Sequence, residues 1–184
     1  MYKYIIGTLL ILWCKFVNLK FGNSTPRIEP KVPWYRQLVW FYSPPTKILP
    51  NLYLGSSFNA YDIDQLNKLN INVIINVTKE IKNFHESNLT LCYYKYSIRD
   101  NNIDDITDIL VDTCKTISFH SNDNILVHCY MGASRSACVI INYLMCTQRL
   151  RYILALEYVK EKRPIVNLSE KFANTLAQTL VQTI

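Results

Sequence analysis

The sequence predicts an α/β domain with a central, mostly parallel sheet flanked by helices. Three observations carry that expectation. Short β-branched apolar runs, Val73 to Val77 and Ile125 to Val127, read as strands buried on both faces. Stretches such as Asp105 to Phe119 place apolar residues at helical spacing. Strand-like and helix-like segments alternate, as crossover connections between parallel strands require.

Taken in order, Tyr4 to Cys14 is an apolar run flanked by Lys3 and Lys15, too short for an ordinary membrane span. Three readings stand open for it: a helix packed on the domain or on a second copy, a membrane-associating helix, or a cleaved signal. Residues 22–46 read as linker, because six of the seven prolines fall between Pro26 and Pro50. Trp34, Tyr35, Trp40, Phe41 and Tyr42 interleave there and read as side chains that pack this arm onto the domain. The division is therefore a basic, apolar and Pro-rich extension, 1–46, and a folded domain, 47–184. Ile48 to Gly55 supplies one or two short strands. Ser57 to Leu69 reads as one helix with Tyr61, Ile63, Leu66 and Leu69 inward. Leu91 to Ile98 is a further strand. Asp104 or Asp105 can cap the helix that follows. Ser136 to Cys146 and Arg151 to Lys162 are helices, the second stopped by Pro164, and Ser169 can cap a last one.

Composition excludes several classes. With 184 residues, 49% of them hydrophobic and 18% charged, the chain can build a core and is no disordered polyelectrolyte. The net charge is +6, and residues 1–50 hold seven basic residues against Glu29 alone, so the whole excess lies there. A nucleic-acid partner is not expected, since its domain would carry the excess on the folded face. A basic, apolar arm points to an anionic membrane surface or an acidic partner, and the expectation is a cytoplasmic or nuclear protein in which the extension offers a membrane contact through residues 4–21 or a homodimer contact. The six cysteines show no C-x-x-C spacing, so no metal site is expected. Most of them lie in apolar stretches and read as buried free thiols.

The chemistry concentrates in His128-Cys129-Tyr130-Met131-Gly132-Ala133-Ser134-Arg135-Ser136, between a buried strand and a helix. A loop there aims backbone N–H groups at one point before a helix N-terminus, which makes an anion site. Gly132 permits a sharp turn. Arg135 can fork onto two phosphate oxygens. Cys129 sits at the mouth of this positive cup, whose dipoles favour a thiolate, and a thiolate facing phosphate is a nucleophile aimed at phosphorus. Ser136 can donate to the sulfur and His128 can orient the loop. Tyr130, Met131, Gly132, Ala133, Ser134 and Arg135 form the substrate-binding rim.

That segment resembles the phosphate loop of the cysteine-dependent protein tyrosine phosphatases, in the form used by dual-specificity phosphatases. The resemblance covers about residues 47–176. It extends to Ile48-Leu49-Pro50-Asn51-Leu52-Tyr53-Leu54-Gly55, to Ile74-Ile75-Asn76-Val77-Thr78, to Tyr143-Leu144-Met145 and to Lys162-Arg163-Pro164-Ile165. It implies a metal-free and cofactor-free hydrolysis through a phosphocysteine. It also implies a general acid on the loop after the preceding strand, where Asp100 in Ser97-Ile98-Arg99-Asp100-Asn101 matches. The implied substrates are proteins phosphorylated on tyrosine and on serine or threonine. Alternatives are an RNA 5′-phosphatase of the same fold and a catalytically weak phosphoprotein-binding module. Relatives acting on RNA resemble H-C-x-H-G-x-N-R-T-G, from which Met131, Ser134 and Ser136 depart. Relatives acting on inositol lipids tend to carry Lys or Arg where this loop is uncharged. Many relatives have Asn at the place of Ser169, so loop support is expected to differ locally. Cys92, Cys114 and Cys138 are resolving partners for an oxidised Cys129 only if the fold brings one near.

Overall fold

A computed structural model describes residues 34–99 and 105–179. The apolar run 4–14 and Asp100 and Asp104 lie outside the described residues. The described chain runs α1 (Trp34–Tyr42), β1 (Thr46–Leu49), β2 (Leu52–Gly55), α2 (Ser57–Tyr61), α3 (Ile63–Lys68), β3 (Val73–Asn76), β4 (Cys92–Lys95), α4 (Thr107–Phe119), β5 (Ile125–His128), α5 (Arg135–Gln148), α6 (Tyr152–Lys162) and α7 (Glu170–Thr179). The five strands form one sheet in the order β1-β2-β5-β3-β4. Only the β1–β2 pair is antiparallel. The α/β architecture with a mostly parallel sheet is as the alternation of elements predicts.

Strand parity decides which residues face which layer, because successive side chains point to opposite faces. Leu52, Leu54, Val73, Ile75, Ile125 and Val127 belong to one core with Leu110 and Ile117 of α4, Ile140 and Leu144 of α5, and Val159 of α6. Tyr53, Ile74 and Leu126 face the other way and pack with Ala60 of α2 and Leu66 of α3. Leu126 lies mid-sheet and is fully buried. Truncating such a side chain to alanine costs about 2–5 kcal/mol. The wholly apolar β3 and β5 need helices on both faces, and they have them.

Three expectations need correction. The supposed linker contains α1. Trp34–Tyr42 contains no proline, and Pro44 and Pro45 follow it, so these prolines delimit the end of a helix instead of forbidding one. Ser57 to Leu69 is two short helices. The chain breaks at Asp62, whose Oδ1 accepts from the Gln65 amide at 3.3 Å and caps the second helix. That break turns Tyr61 outward, 60% exposed against Phe84. Finally, of the described cysteines only Cys129 and Cys138 are buried, while Cys92 and Cys146 are exposed and Cys114 lies between. Cys92 opens β4, which is an edge strand among the described residues.

The helix ends follow expectation in part. Asp105 accepts from the Thr107 amide and hydroxyl at 3.0 and 2.7 Å, so it secures the start of α4 from one residue before the cap position. Ser169 Oγ accepts from the Phe172 amide at 3.4 Å and caps α7. Among the described residues no helix is long and apolar enough to cross a membrane.

Candidate active site

The loop 129–134 leaves the carboxyl end of β5, the central strand, and enters α5 at Arg135. Its shape is set from outside, through its carbonyls. The Tyr130 carbonyl accepts from the Ser57 amide at 3.0 Å. The Met131 carbonyl accepts from Arg163 Nη2 at 3.1 Å and the Gly132 carbonyl from Arg163 Nε at 2.7 Å. The Ala133 carbonyl accepts from the Asn167 amide at 3.0 Å. Four consecutive carbonyls are thus drawn toward the scaffold. In a trans peptide the next residue's N–H points opposite the carbonyl, so the amides of residues 131–134 turn into the loop. The Gly132 amide donates to Cys129 Sγ at 3.2 Å, as that geometry demands. A nest of inward amides binds anions.

Gly132 is obligatory on two counts. Its φ is +69°, and a Cβ there would stand 2.5 Å from the Gly55 carbonyl oxygen and 2.8 Å from Arg163 Nη2. The loop therefore rests directly on the end of β2.

Cys129 is buried at the base of the cup, 2% exposed. Ser136, in the first turn of α5, donates from Oγ to Cys129 Sγ at 3.2 Å. Two donors thus aim at one sulfur. Arg135 opens α5 with its side chain buried, and Nη1 donates to Glu80 Oε1 at 2.6 Å and to the Ile98 carbonyl at 3.3 Å. Burial works against the charge on Glu80, yet its backbone hydrogen bonds and the Arg135 guanidinium outweigh burial and hold the carboxyl below the usual range. His128 is fully buried, and its Nδ1 lies 3.3 Å from the Cys129 carbonyl. Burial, assisted by Lys95 and Arg135, pushes its imidazole down to about 4, so it is neutral near pH 7. Tyr130 stands at the rim, half exposed, with its ring 5.7 Å from that of Phe41 on α1.

The residues named from sequence are brought together at one place, apart from Asp100, which lies outside the described residues. The chain leading to it is described as far as Arg99, and Ile98 lies against Arg135. What sequence reasoning missed is the support. Arg163 is fully buried and also donates to Thr46 Oγ1 at 3.2 Å and to the Trp40 carbonyl at 3.3 Å, with its guanidinium 5.4 Å from the Trp40 ring centre. Burial pushes this guanidinium down to about 10, against the pull of nearby Cys129, and it stays charged at neutral pH. Glu80, Ser57 and Asn167 were missed too. The one available signal was Arg163-Pro164 itself, a cation closing an amphipathic helix. Among the described residues no cluster of three or more His, Cys, Asp or Glu side chains is arranged to hold a metal ion.

Comparison with known proteins agrees with this geometry. The family model for the dual specificity phosphatase catalytic domain matches residues 52–181. Protein phosphatase Slingshot of Drosophila melanogaster is 37% identical over 134 residues, which are 72% of this chain and 13% of that protein. Human dual specificity protein phosphatase 4 is 34% identical over 139 residues, 73% of this chain and 34% of that protein. This chain therefore matches well under half the length of these two relatives. Among solved structures, the human tyrosine phosphatase-like serine/threonine/tyrosine-interacting protein superposes with a TM-score of 0.68 at 29% identity, covering 75% of this chain and 96% of that one. Human DUSP28 shares the fold with a TM-score of 0.69 at 24% identity, covering 76% and 99%. A strand–loop–helix that presents Cys129 to a ring of amides, in a domain so matched, places the chain in the dual specificity phosphatase family.

Proposed function

We propose that this protein hydrolyses phosphate monoesters on protein tyrosine and serine or threonine side chains, through a phosphocysteine on Cys129. One observation carries the reading: Cys129 Sγ lies inside a loop whose amides are turned inward by four anchored carbonyls, with Arg135 at its edge. Phosphate oxygens fit those amides and the Arg135 guanidinium, which Glu80 holds on its other side. The rim residues Tyr130, Met131, Ala133 and Ser134 contact the substrate and Gly132 lets it approach. Cys129 forms the S–P bond as the P–O bond to the leaving hydroxyl breaks. Asp100 protonates that oxygen and then takes a proton from the water that cleaves the S–P bond. Ser136 donates to the sulfur as it leaves, and neutral His128 orients the Cys129 peptide.

The catalytic unit begins at α1 in this reading, not at residue 47, because Arg163 binds the Trp40 carbonyl and the loop together. The extension ahead of it carries the proposed membrane or homodimer contact. Vesicle binding and molecular mass, with and without residues 1–25, test that.

The main test is phosphate release from phenyl phosphate, a phosphotyrosine peptide, a phosphothreonine peptide and 5′-triphosphate RNA. Release from both peptides and none from Cys129→Ser is expected. Release from RNA alone would overturn the proposed substrate class, and release by Cys129→Ser would overturn the mechanism. Asp100→Asn is expected to slow turnover and change the pH–rate profile, and an unchanged profile would remove Asp100 from the reaction.

A further inference from the structure

A second pair of thiols lies away from the phosphate loop. Cys114 is on α4 and Cys146 on α5, two helices that pack side by side. Both line one cavity of about 310 Å³, together with Leu110, Val111 and Asn142. Cys146 is exposed and Cys114 is partly buried. The two thiols face this shared space and interact electrostatically, and Cys146 Sγ also lies 3.9 Å from Asn142 Oδ1. Cys138, on the same helix as Cys146, is buried in the core instead.

We infer that Cys114 and Cys146 form a redox dithiol site, distinct from Cys129, that hydrogen peroxide converts into a disulfide joining α4 to α5. The assignment of roles follows from exposure. Peroxide reaches Cys146 from solvent. Its sulfur attacks one peroxide oxygen, the O–O bond breaks, and Cys146 becomes a sulfenic acid while the other oxygen leaves as water. The Cys114 sulfur then attacks the Cys146 sulfur, the S–O bond breaks, and a second water leaves with the Cys114 proton. Two thiols are oxidised and one peroxide is reduced to two waters. Burial and the neighbouring Cys146 push the Cys114 thiol up to about 11, so at neutral pH the exposed Cys146 is oxidised first. The cavity gives the peroxide room beside both sulfurs, and the preformed neighbourhood replaces an unfavourable encounter by a local one. None of this depends on the proposed phosphatase activity.

The test uses the full chain carrying Cys129→Ser, so that the phosphate-loop sulfur takes no part. Hydrogen peroxide is added until the exposed Cys92 is oxidised, free thiols are alkylated, and peptides are mapped by mass spectrometry without reductant. The expected product is a Cys114–Cys146 linked pair, lighter by two hydrogens and released by dithiothreitol. In the Cys114→Ser variant the link is lost and Cys146 proceeds to the sulfinic acid. Free Cys114 and Cys146 alongside oxidised Cys92 would overturn the inference. So would linkage of Cys146 to any other cysteine.

Discussion

Replacing Arg163 by methionine keeps most of the volume and removes the charge and all of its donors. Three backbone carbonyls, those of Gly132, Met131 and Trp40, then lose their partner inside the protein, and Thr46 Oγ1 loses a fourth contact. A buried acceptor left unmatched costs about 1–3 kcal/mol. Losing the buried guanidinium spares its own desolvation, which returns part of that sum. A net loss of about 3–5 kcal/mol follows, a large share of the ~5–15 kcal/mol that holds a domain together. The kinetic effect is separate. With the Met131 and Gly132 carbonyls released, the amides of residues 132 and 133 no longer point steadily into the cup, and a misplacement of about 1 Å lowers kcat/KM about 100-fold. Arg163→Lys retains a charge that reaches one or two carbonyls, so about half of each effect is expected. Urea denaturation measured at 15 °C and phenyl phosphate turnover on the same preparations give both quantities. A methionine variant within ~1 kcal/mol of wild type would refute the stability reasoning. A variant that is destabilised yet keeps wild-type kcat/KM in its folded fraction would show that the loop holds its amides without Arg163.

Two further perturbations read the same site. His128 has its folded-state value depressed from 6.5 to about 4 by burial, so between those values the unfolded chain binds the extra proton and folding loses stability as the pH falls from 6.5 toward 4. At pH 5 the loss is about 2 kcal/mol, and in His128→Asn that part of the pH dependence should vanish while the carboxylate part at lower pH remains; parallel curves for the two proteins would contradict a buried neutral imidazole. Gly132→Ala must resolve a Cβ 2.5 Å from the Gly55 carbonyl oxygen at a φ of +69°, so a loss of about 2–4 kcal/mol and of nearly all turnover is expected. Thermal melting within a degree of wild type would show that the loop can move off β2.

The sequence alone made the loop legible because it is local. His128 to Ser136 are consecutive, so the strand end, the turn at Gly132, the cysteine and the arginine at the helix start can be read along one stretch. Patterning in β3, β5 and α4 was legible for the same reason, since burial on both faces or on one stripe prints its period directly on the chain. The helix at Trp34–Tyr42 was misread because prolines signal local breaks, and whether a break bounds a helix or disperses a linker depends on what the intervening residues pack against. The break at Asp62 was missed because a cap and a helix interior both tolerate Asp in a sequence window.

Only the tertiary structure could decide what holds the loop in shape. The groups that turn its carbonyls outward come from Ser57 at the start of α2, Arg163 at the end of α6 and Asn167 before α7, none of them adjacent in sequence. Glu80 beside Arg135, and Cys114 and Cys146 on one cavity, are likewise juxtapositions made by the sheet order and the helix packing. A periodic pattern records that a residue is buried, but not which distant donor meets which carbonyl. That pairing exists only once the chain has crossed over and brought the loop, the end of β2 and the end of α6 to one point.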